Sequence, residues 1–201
     1  MGNLAAAERH TEMLLEYSRK HSLLFWRELG SRLRCVVSLK SNNFRAERRL
    51  PQINHDGIYP RNFNFLILLG ELAEALAHAG RTGEALRLVG RGIGPPEADW
   101  LTPELFRLQG ELLLAQKPIE NAEAAEQLFR QSIDWARRQG ALSWELRAAT
   151  SFAQLLRKRG HTDNAAAVLQ PVYDRFTEGF GTADLVAARQ LLDELDGADR
   201  D

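Results

Sequence analysis

The chain has 201 residues, of which 44% are hydrophobic, so it is long enough to bury a substantial core. Its formal net charge of -1 predicts no general electrostatic attraction to nucleic acid or to an anionic membrane. The single cysteine, Cys35, cannot form an internal disulfide, which fits a reducing compartment. No apolar run approaches the roughly 18 residues of a membrane-spanning helix, and no signal-peptide pattern occurs, so we expect a cytoplasmic protein without a membrane segment.

Apolar residues recur every three or four positions along most of the chain, which is the spacing of one stripe on an amphipathic helix. No segment reads convincingly as a strand, so the sequence predicts an all-α fold. About ten helices are expected from this spacing, in the following chain order: Leu4–Lys20, Ser22–Lys40, Phe44–Leu50, Arg61–His78, Ala85–Ile93, Thr102–Gln116, Glu120–Arg138, Ser143–Arg159, Ala165–Phe176 and residues 183–195. Residues 51–60, which contain Asp56-Gly57 and two prolines, are predicted to form an irregular loop, and residues 197–201 a tail.

Breaks between the predicted helices carry residues typical of helix ends. Gly80, Gly140 and Gly160 suit the position beyond a helix C-terminus, where the backbone often becomes left-handed. Thr102 and Thr162 are predicted to be N-caps, because a threonine hydroxyl can accept a hydrogen bond from a free backbone N–H. Helices joined by such short turns lie antiparallel and bury facing stripes.

Small residues recur where the two helices of a hairpin must approach each other. The pairs are Ala73 with Ala85, Gly110 with Ala125, and Ala153 with Ala165. In each second helix a bulky residue follows the small one four positions later, at Val89, Phe129 and Leu169. This resembles the tetratricopeptide pattern, and the hairpin spacing of roughly 34 to 45 residues lies in the range of α-hairpin repeats. The register of the first hairpin, around residues 22–50, stays open between Gly30 and Cys35 as its small residue.

Each hairpin still has an apolar back that needs a neighbour, so the units are expected to stack. We therefore predict one domain over residues 1–201, an α-hairpin superhelical repeat array of tetratricopeptide type. A single unpaired helix at about residues 183–195, with an apolar stripe and a polar outer side, is predicted to be its C-terminal capping helix.

Several blocks in the second half of the chain carry a closer resemblance. They include Gly110-Glu111-Leu112-Leu113-Leu114, Trp135-Ala136-Arg137-Arg138-Gln139-Gly140-Ala141 and Glu145-Leu146-Arg147-Ala148-Ala149-Thr150-Ser151. Over residues Trp100–Leu195 the chain resembles the C-terminal tetratricopeptide region of large bacterial signalling ATPases, which include winged-helix transcriptional regulators and adenylate cyclase-type proteins. The resemblance implies a bacterial, cytoplasmic module for signalling or transcriptional regulation. The chain has no G-x-x-x-x-G-K-[ST] loop, so ATP use is not implied.

No motif predicts catalysis. The five histidines show no metal-ligand spacing with one another or with Cys35. Glu71 with Glu74, and Glu123 with Glu126, read as solvated helix faces rather than acid–base pairs. The glycine-rich segment at residues 90–94 follows a helix and lacks the end of a phosphate loop. We expect no catalytic, metal-binding or cofactor-binding residues, and a protein that is not an enzyme.

A stack of hairpins presents its first helices along a concave face. The predicted partner-binding positions on this face are Arg107, Glu111, Arg147, Thr150, Gln154, Arg157 and Lys158. Their mixed charge suits a protein or peptide that bears both signs. The alternative is that these residues merely keep the surface hydrated.

Two further hypotheses concern the N-terminal third of the chain. Five arginines lie close together in the sequence: Arg32, Arg34, Arg45, Arg48 and Arg49. They suggest nucleic-acid binding as the alternative function, although no interleaved aromatic residues accompany them. The first predicted helix also resembles the second helix of a hairpin that lacks its first. A partner helix from another copy of the chain would complete it and give a homodimer.

Overall fold

In the computed structural model, the residues described are 4–41, 63–93 and 100–198. Within these ranges the chain forms helices joined by turns, and no strand occurs in them. The helices are α1 (Leu4–Lys20), α2 (Leu24–Lys40), α3 (Phe63–His78), α4 (Thr82–Gly92), α5 (Thr102–Gln116), α6 (Ala122–Arg138), α7 (Leu142–Lys158), α8 (Thr162–Tyr173) and α9 (Ala183–Ala198). The predicted all-α class is confirmed. The predicted helix Phe44–Leu50 and the predicted loop at residues 51–60 lie outside the described residues.

The chain forms two compact units, Met1–Leu88 and Val89–Asp201, where the sequence predicts one continuous domain. Helices α1, α2 and α3 belong to unit 1, helices α5 to α9 belong to unit 2, and the boundary falls within α4. None of the helices in the described ranges combines the length and the apolar character needed to cross a membrane.

In unit 1, α2 packs on α1 and also on α3. Leu15 of α1 is almost completely buried. A Cβ atom on Gly30 would lie 2.9 Å from Leu15 Cδ2, so the missing side chain allows α1 and α2 to approach closely. The small residue of α2 thus faces the helix that precedes it. Lys40, at the end of α2, forms an ion pair with Glu71 of α3.

In unit 2, α7 packs against α5, α6, α8 and α9, and the hydrophobic core surrounds it. The buried apolar residues of α6 to α9 that form this core are Ala125, Phe129, Ile133, Leu146, Ala148, Ala149, Phe152, Ala153, Leu155, Leu156, Ala165, Leu169, Val172, Leu185, Ala188, Leu191, Leu192 and Leu195. The aromatic rings of Phe129 and Phe152 pack with their centroids 6.5 Å apart. The apolar stripe predicted for the last helix is confirmed, because its leucines and Ala188 are buried while its charged residues are exposed.

Three helices end in the same way, as the glycines predict. Gly80, Gly140 and Gly160 have φ angles of 76°, 64° and 79°, in the left-handed region that glycine adopts without strain. In each turn the N–H after the glycine bonds a carbonyl five residues back, as in His161 N–H to Leu156 O at 2.9 Å. This is the hydrogen bond of a Schellman motif, and it satisfies carbonyls that the helix end would leave free.

The N-caps predicted at Thr102 and Thr162 are wrong. Leu101 and His161 hold the N-cap positions of α5 and α8, and neither helix start has a side-chain capping hydrogen bond. Each threonine is instead the first residue of its helix. At α5 the reason is packing, because Leu101 is buried and its carbonyl already accepts the N–H of Leu105 at 3.1 Å.

Candidate functional site

A buried ion-pair network joins α5 to α7. Glu104, in the first turn of α5, and Arg107, one turn later, are each only 5% exposed. Arg107 donates two hydrogen bonds to the Glu104 carboxylate, from Nε to Oε2 at 2.8 Å and from Nη2 to Oε1 at 2.7 Å. Arg147 of α7 adds a contact from its Nη2 to Glu104 Oε1 at 2.8 Å. The charges of Glu104 and Arg107 therefore satisfy each other away from water, and the half-buried Arg147 adds a second cation beside the same carboxylate.

The network continues to the surface through Glu111. Arg107 Nη1 donates to Glu111 Oε1, and the hydroxyl of Ser151 donates to the same oxygen at 2.7 Å. Glu111 is half-buried and lies on α5, while Ser151 lies on α7. These bonds fix the orientation of a carboxylate that faces the adjacent groove.

That groove lies within unit 2, between the C-terminal half of α5, the turn that follows it, the start of α6 and the end of α7. Its volume is about 790 Å³, within the range of pockets that bind small ligands or single side chains of a partner. The residues that line it are Glu111, Leu114, Ala115, Pro118, Ile119, Glu120, Ala122, Glu123, Phe129, Ser151, Gln154, Leu155, Lys158 and Arg159. Apolar side chains form much of its surface.

One apolar side chain at the edge of this groove is almost fully exposed to solvent. Ile119 is 92% exposed, in a turn that also contains Lys117, Glu120 and Asn121. Leu114 and Phe129 belong to or contact the core of unit 2, and both line the groove. The groove therefore combines apolar wall residues that pack on the core of unit 2 with an exposed isoleucine at its rim.

Most charges around the groove are already paired. Lys117 pairs with Glu120, and Arg159 pairs with Glu126 at 2.7 Å. Lys158 and Glu123, by contrast, form no ion pair with any residue in the described ranges. Two charges of opposite sign thus remain available to a partner at the groove.

Only three of the seven residues predicted for the concave face line the groove. Glu111, Gln154 and Lys158 line the groove. The prediction that Arg107 is exposed is wrong, because the carboxylates of Glu104 and Glu111 hold it inside the unit.

The other three predicted residues have different surroundings. Arg147 is half-buried in the network, and its Cζ lies 5.5 Å from the ring centroid of Trp144. The hydroxyl of Thr150 donates to the carbonyl of Leu146 in its own helix at 2.8 Å. Arg157 pairs with Glu194 of α9, so it does not reach the groove wall.

Sequence reasoning missed Glu104, Ser151 and Ile119. The spacing of Glu104, Arg107 and Glu111 was an available signal, because residues three and four apart meet on one helix face. An isoleucine in a turn between charged residues was a second signal. Nothing in the sequence points to Ser151, since its partner comes from another helix.

A second buried carboxylate, Glu145, joins three parts of unit 2. It is 1% exposed and accepts a hydrogen bond from Arg137 Nε at 2.7 Å and another from Arg175 Nη1 at 2.6 Å. Arg137 lies in the last turn of α6, Glu145 in the first turn of α7, and Arg175 just after α8. The arrangement ties these helix ends together.

The nucleic-acid alternative gains no support from the described residues. Arg34 has a carboxylate neighbour, Glu12, at 3.7 Å. Arg45, Arg48 and Arg49 lie outside the described ranges. Within the part of the chain that the structure describes, no three His, Cys, Asp or Glu side chains come together as possible metal ligands.

Cys35 lies half-buried in α2. Burial raises the pKa of its thiol above the ordinary value, and the smaller effect of the Arg34 charge opposes this. We expect the pH midpoint of iodoacetamide alkylation to lie higher for the folded chain than for the same chain in guanidinium chloride, because less thiolate is present at a given pH. Mass spectrometry of the alkylated chain measures both midpoints. A folded midpoint at or below the unfolded one would contradict the burial of this thiol.

Comparisons of the chain with protein-family models, with curated proteins and with solved structures give no match.

Proposed function

We propose that this chain is a non-catalytic protein-interaction module and that the groove beside α5 and α7 binds a short peptide segment of a partner protein. The observation that carries the proposal is an apolar groove flanked by two unpaired charges, Lys158 and Glu123. Apolar contact supplies most of the affinity at such a surface, whereas charges at the rim determine which segment binds and in which direction.

The partner segment should carry one large aliphatic or aromatic side chain with an acidic residue on one side and a basic residue on the other. The apolar side chain would pack against Ile119 and Leu114. The acidic residue would pair with Lys158 and the basic residue with Glu123. Glu111, held by its two hydrogen bonds, provides a preorganised acceptor on the groove wall.

The surrounding architecture is proposed to be a tetratricopeptide-like repeat array that ends in α9 as its cap. The repeated glycine turns support this, as does the close packing of Gly110 against Phe129. The exposed residues of α9 are mostly polar, as a terminal repeat element requires. With the resemblance over Trp100–Leu195, we infer a cytoplasmic role in signalling or transcriptional regulation, related to the C-terminal region of bacterial signalling ATPases.

Selection from a phage-displayed library of random dodecapeptides on the immobilised full chain tests the groove. We expect peptides that combine a large apolar residue with flanking residues of both signs to be enriched. On the Lys158→Glu variant, the selected peptides should carry a basic residue in place of the acidic one, because the charge that this residue pairs with is reversed. Ile119→Ser should reduce the affinity of the selected peptides about tenfold, as the loss of one buried aliphatic contact costs of the order of 1.4 kcal/mol.

Arg189→Glu provides the matched control, because it makes the same change of charge on exposed α9. It should leave the selected peptides unchanged. Selection that yields no enriched motif on the wild-type chain, or the same motif on Lys158→Glu, would refute the proposed groove function.

A further inference from the structure

The outer face of α1 is not covered by the other described helices of unit 1. Met13 is 57% exposed and Tyr17 is 60% exposed. On the opposite face, Thr11, Leu15 and Ser18 are buried, and α1 packs on α2. The exposed apolar side chains therefore lie on the side of the helix that faces away from its neighbour.

The charges around Met13 have a regular arrangement. At about 3.6 residues per turn, Ala6, Met13 and Lys20 form a central stripe along the outer face. Arg9 and Glu16 lie on one side of this stripe, and both are exposed. Neither forms an ion pair with any residue in the described ranges. They are two helical turns apart, too far to pair with each other within one helix.

His10 and Tyr17 lie on the other side of the stripe. The Tyr17 ring packs against His21, with ring centroids 4.3 Å apart. The outer face of α1 thus has an ionic side, a central methionine and an aromatic side. Such an order is directional, so it distinguishes between possible orientations of a second helix.

An antiparallel second copy of α1 complements this face. A two-fold axis beside Met13 brings the two methionines together and places each side of one helix along the same side of the other. Arg9 of one copy then lies within side-chain reach of Glu16 of the other, and the symmetry repeats this pair. His10 likewise meets Tyr17. A parallel pair would instead set the ionic side of one helix against the aromatic side of the other.

We propose that α1 joins two copies of this chain as an antiparallel helix pair about a two-fold axis beside Met13. The contact is independent of the groove in unit 2. A helix of 17 residues is about 25 Å long. A pair of such helices falls at or below the ~1,200 Å² that marks weak interfaces, so the dimer forms in a concentration-dependent way.

Sedimentation velocity of the full chain over a concentration series tests the pair. The wild type should shift from monomer to dimer as concentration rises, and added salt should weaken the dimer. In Arg9→Glu, the acidic residue at position 9 of one copy faces Glu16 of the other. In Glu16→Arg, the basic residue at position 16 of one copy faces Arg9 of the other. Each variant alone should raise the dissociation constant at least about tenfold.

A mixture of these two variants is the decisive measurement. In the mixed dimer, the Arg9→Glu chain presents an acidic residue at both positions and the Glu16→Arg chain presents a basic residue at both. Each acidic side chain therefore meets a basic one, and both ion pairs form again. The mixture should dimerise where neither variant does alone. Glu8→Arg mixed with Arg19→Glu is the matched control, because it makes the same charge changes at exposed positions off this face.

Wild-type dimerisation that neither variant weakens would overturn the proposal, as would a monomer at every concentration. A mixture of Arg9→Glu and Glu16→Arg that stays monomeric would also overturn it. Circular dichroism of each variant confirms that the chains are folded, and formation of the mixed dimer shows the same independently.

Discussion

Replacing Arg107 with alanine should lower the free energy of unfolding of unit 2 by about 3 to 5 kcal/mol. Arg107 and Glu104 are both almost fully buried, and the guanidinium forms two short hydrogen bonds with the carboxylate. Without Arg107, the Glu104 carboxylate stays inside the unit with too few partners, which costs far more than an exposed ion pair contributes. Arg147 still contacts Glu104, so we expect a loss near the lower end of this range.

Urea unfolding followed by circular dichroism and tryptophan fluorescence measures this loss. Arg157→Ala is the control for an exposed pair and should cost less than about 1 kcal/mol. The double variant Glu104→Gln/Arg107→Met removes both charges and should recover much of the loss, because an uncharged buried pair avoids the desolvation penalty. If Arg107→Ala proves as mild as Arg157→Ala, the buried pair has no important role in stability.

The position of Arg107 also shows what sequence patterns cannot give. The helix itself was predictable, because the apolar spacing and the proline near its start are local signals. The burial of Arg107 was not predictable, since α6 and α7, which come later in the chain, pack against α5. Periodicity assigns a residue to a side of its own helix, whereas burial depends on which neighbours cover that side.

The predicted concave face failed for the same reason, because its residues are covered or exposed according to how neighbouring helices pack. At about 100° per residue, Arg147, Gln154 and Lys158 of α7 share a stripe, and two of them line the groove. Thr150 and Arg157 fall roughly 60° to 80° from this stripe. Arg157 therefore meets Glu194 of α9 instead of the groove. The helix could be predicted from its sequence, but the rotation of that helix relative to its neighbours could not.

Gly110 is the second position where we expect a large effect. A Cβ atom there would lie 2.6 Å from Cε1 of Phe129, and the Phe129 side chain is fully buried against Phe152. Overpacking of this kind costs about 1 to 3 kcal/mol, which exceeds the helix-propensity gain of about 1 kcal/mol from glycine to alanine. Gly110→Ala should therefore destabilise unit 2, and Gly110→Val should cost about 3 kcal/mol or more.

Gly90→Ala makes the same chemical change in α4, where the added Cβ meets no atom of the described residues within 4 Å apart from its chain neighbours and its own helix backbone. It should stabilise the chain by up to about 1 kcal/mol, so the two substitutions have opposite signs. Thermal and urea unfolding of both variants measure the difference. In the double variant Gly110→Ala/Phe129→Leu the smaller side chain should relieve the clash, with a coupling energy of about 1 to 2 kcal/mol.

The same substitution connects stability with the proposed function. Phe129 fills the space left by Gly110 and packs in the wall of the groove, so a Cβ atom that displaces its buried ring changes the shape of the groove. Gly110→Ala should therefore weaken peptides selected on the wild-type chain, although residue 110 itself does not line the groove. Gly90→Ala should leave their affinity unchanged. Equal peptide affinities for the wild type and Gly110→Ala would separate the packing of Phe129 from binding.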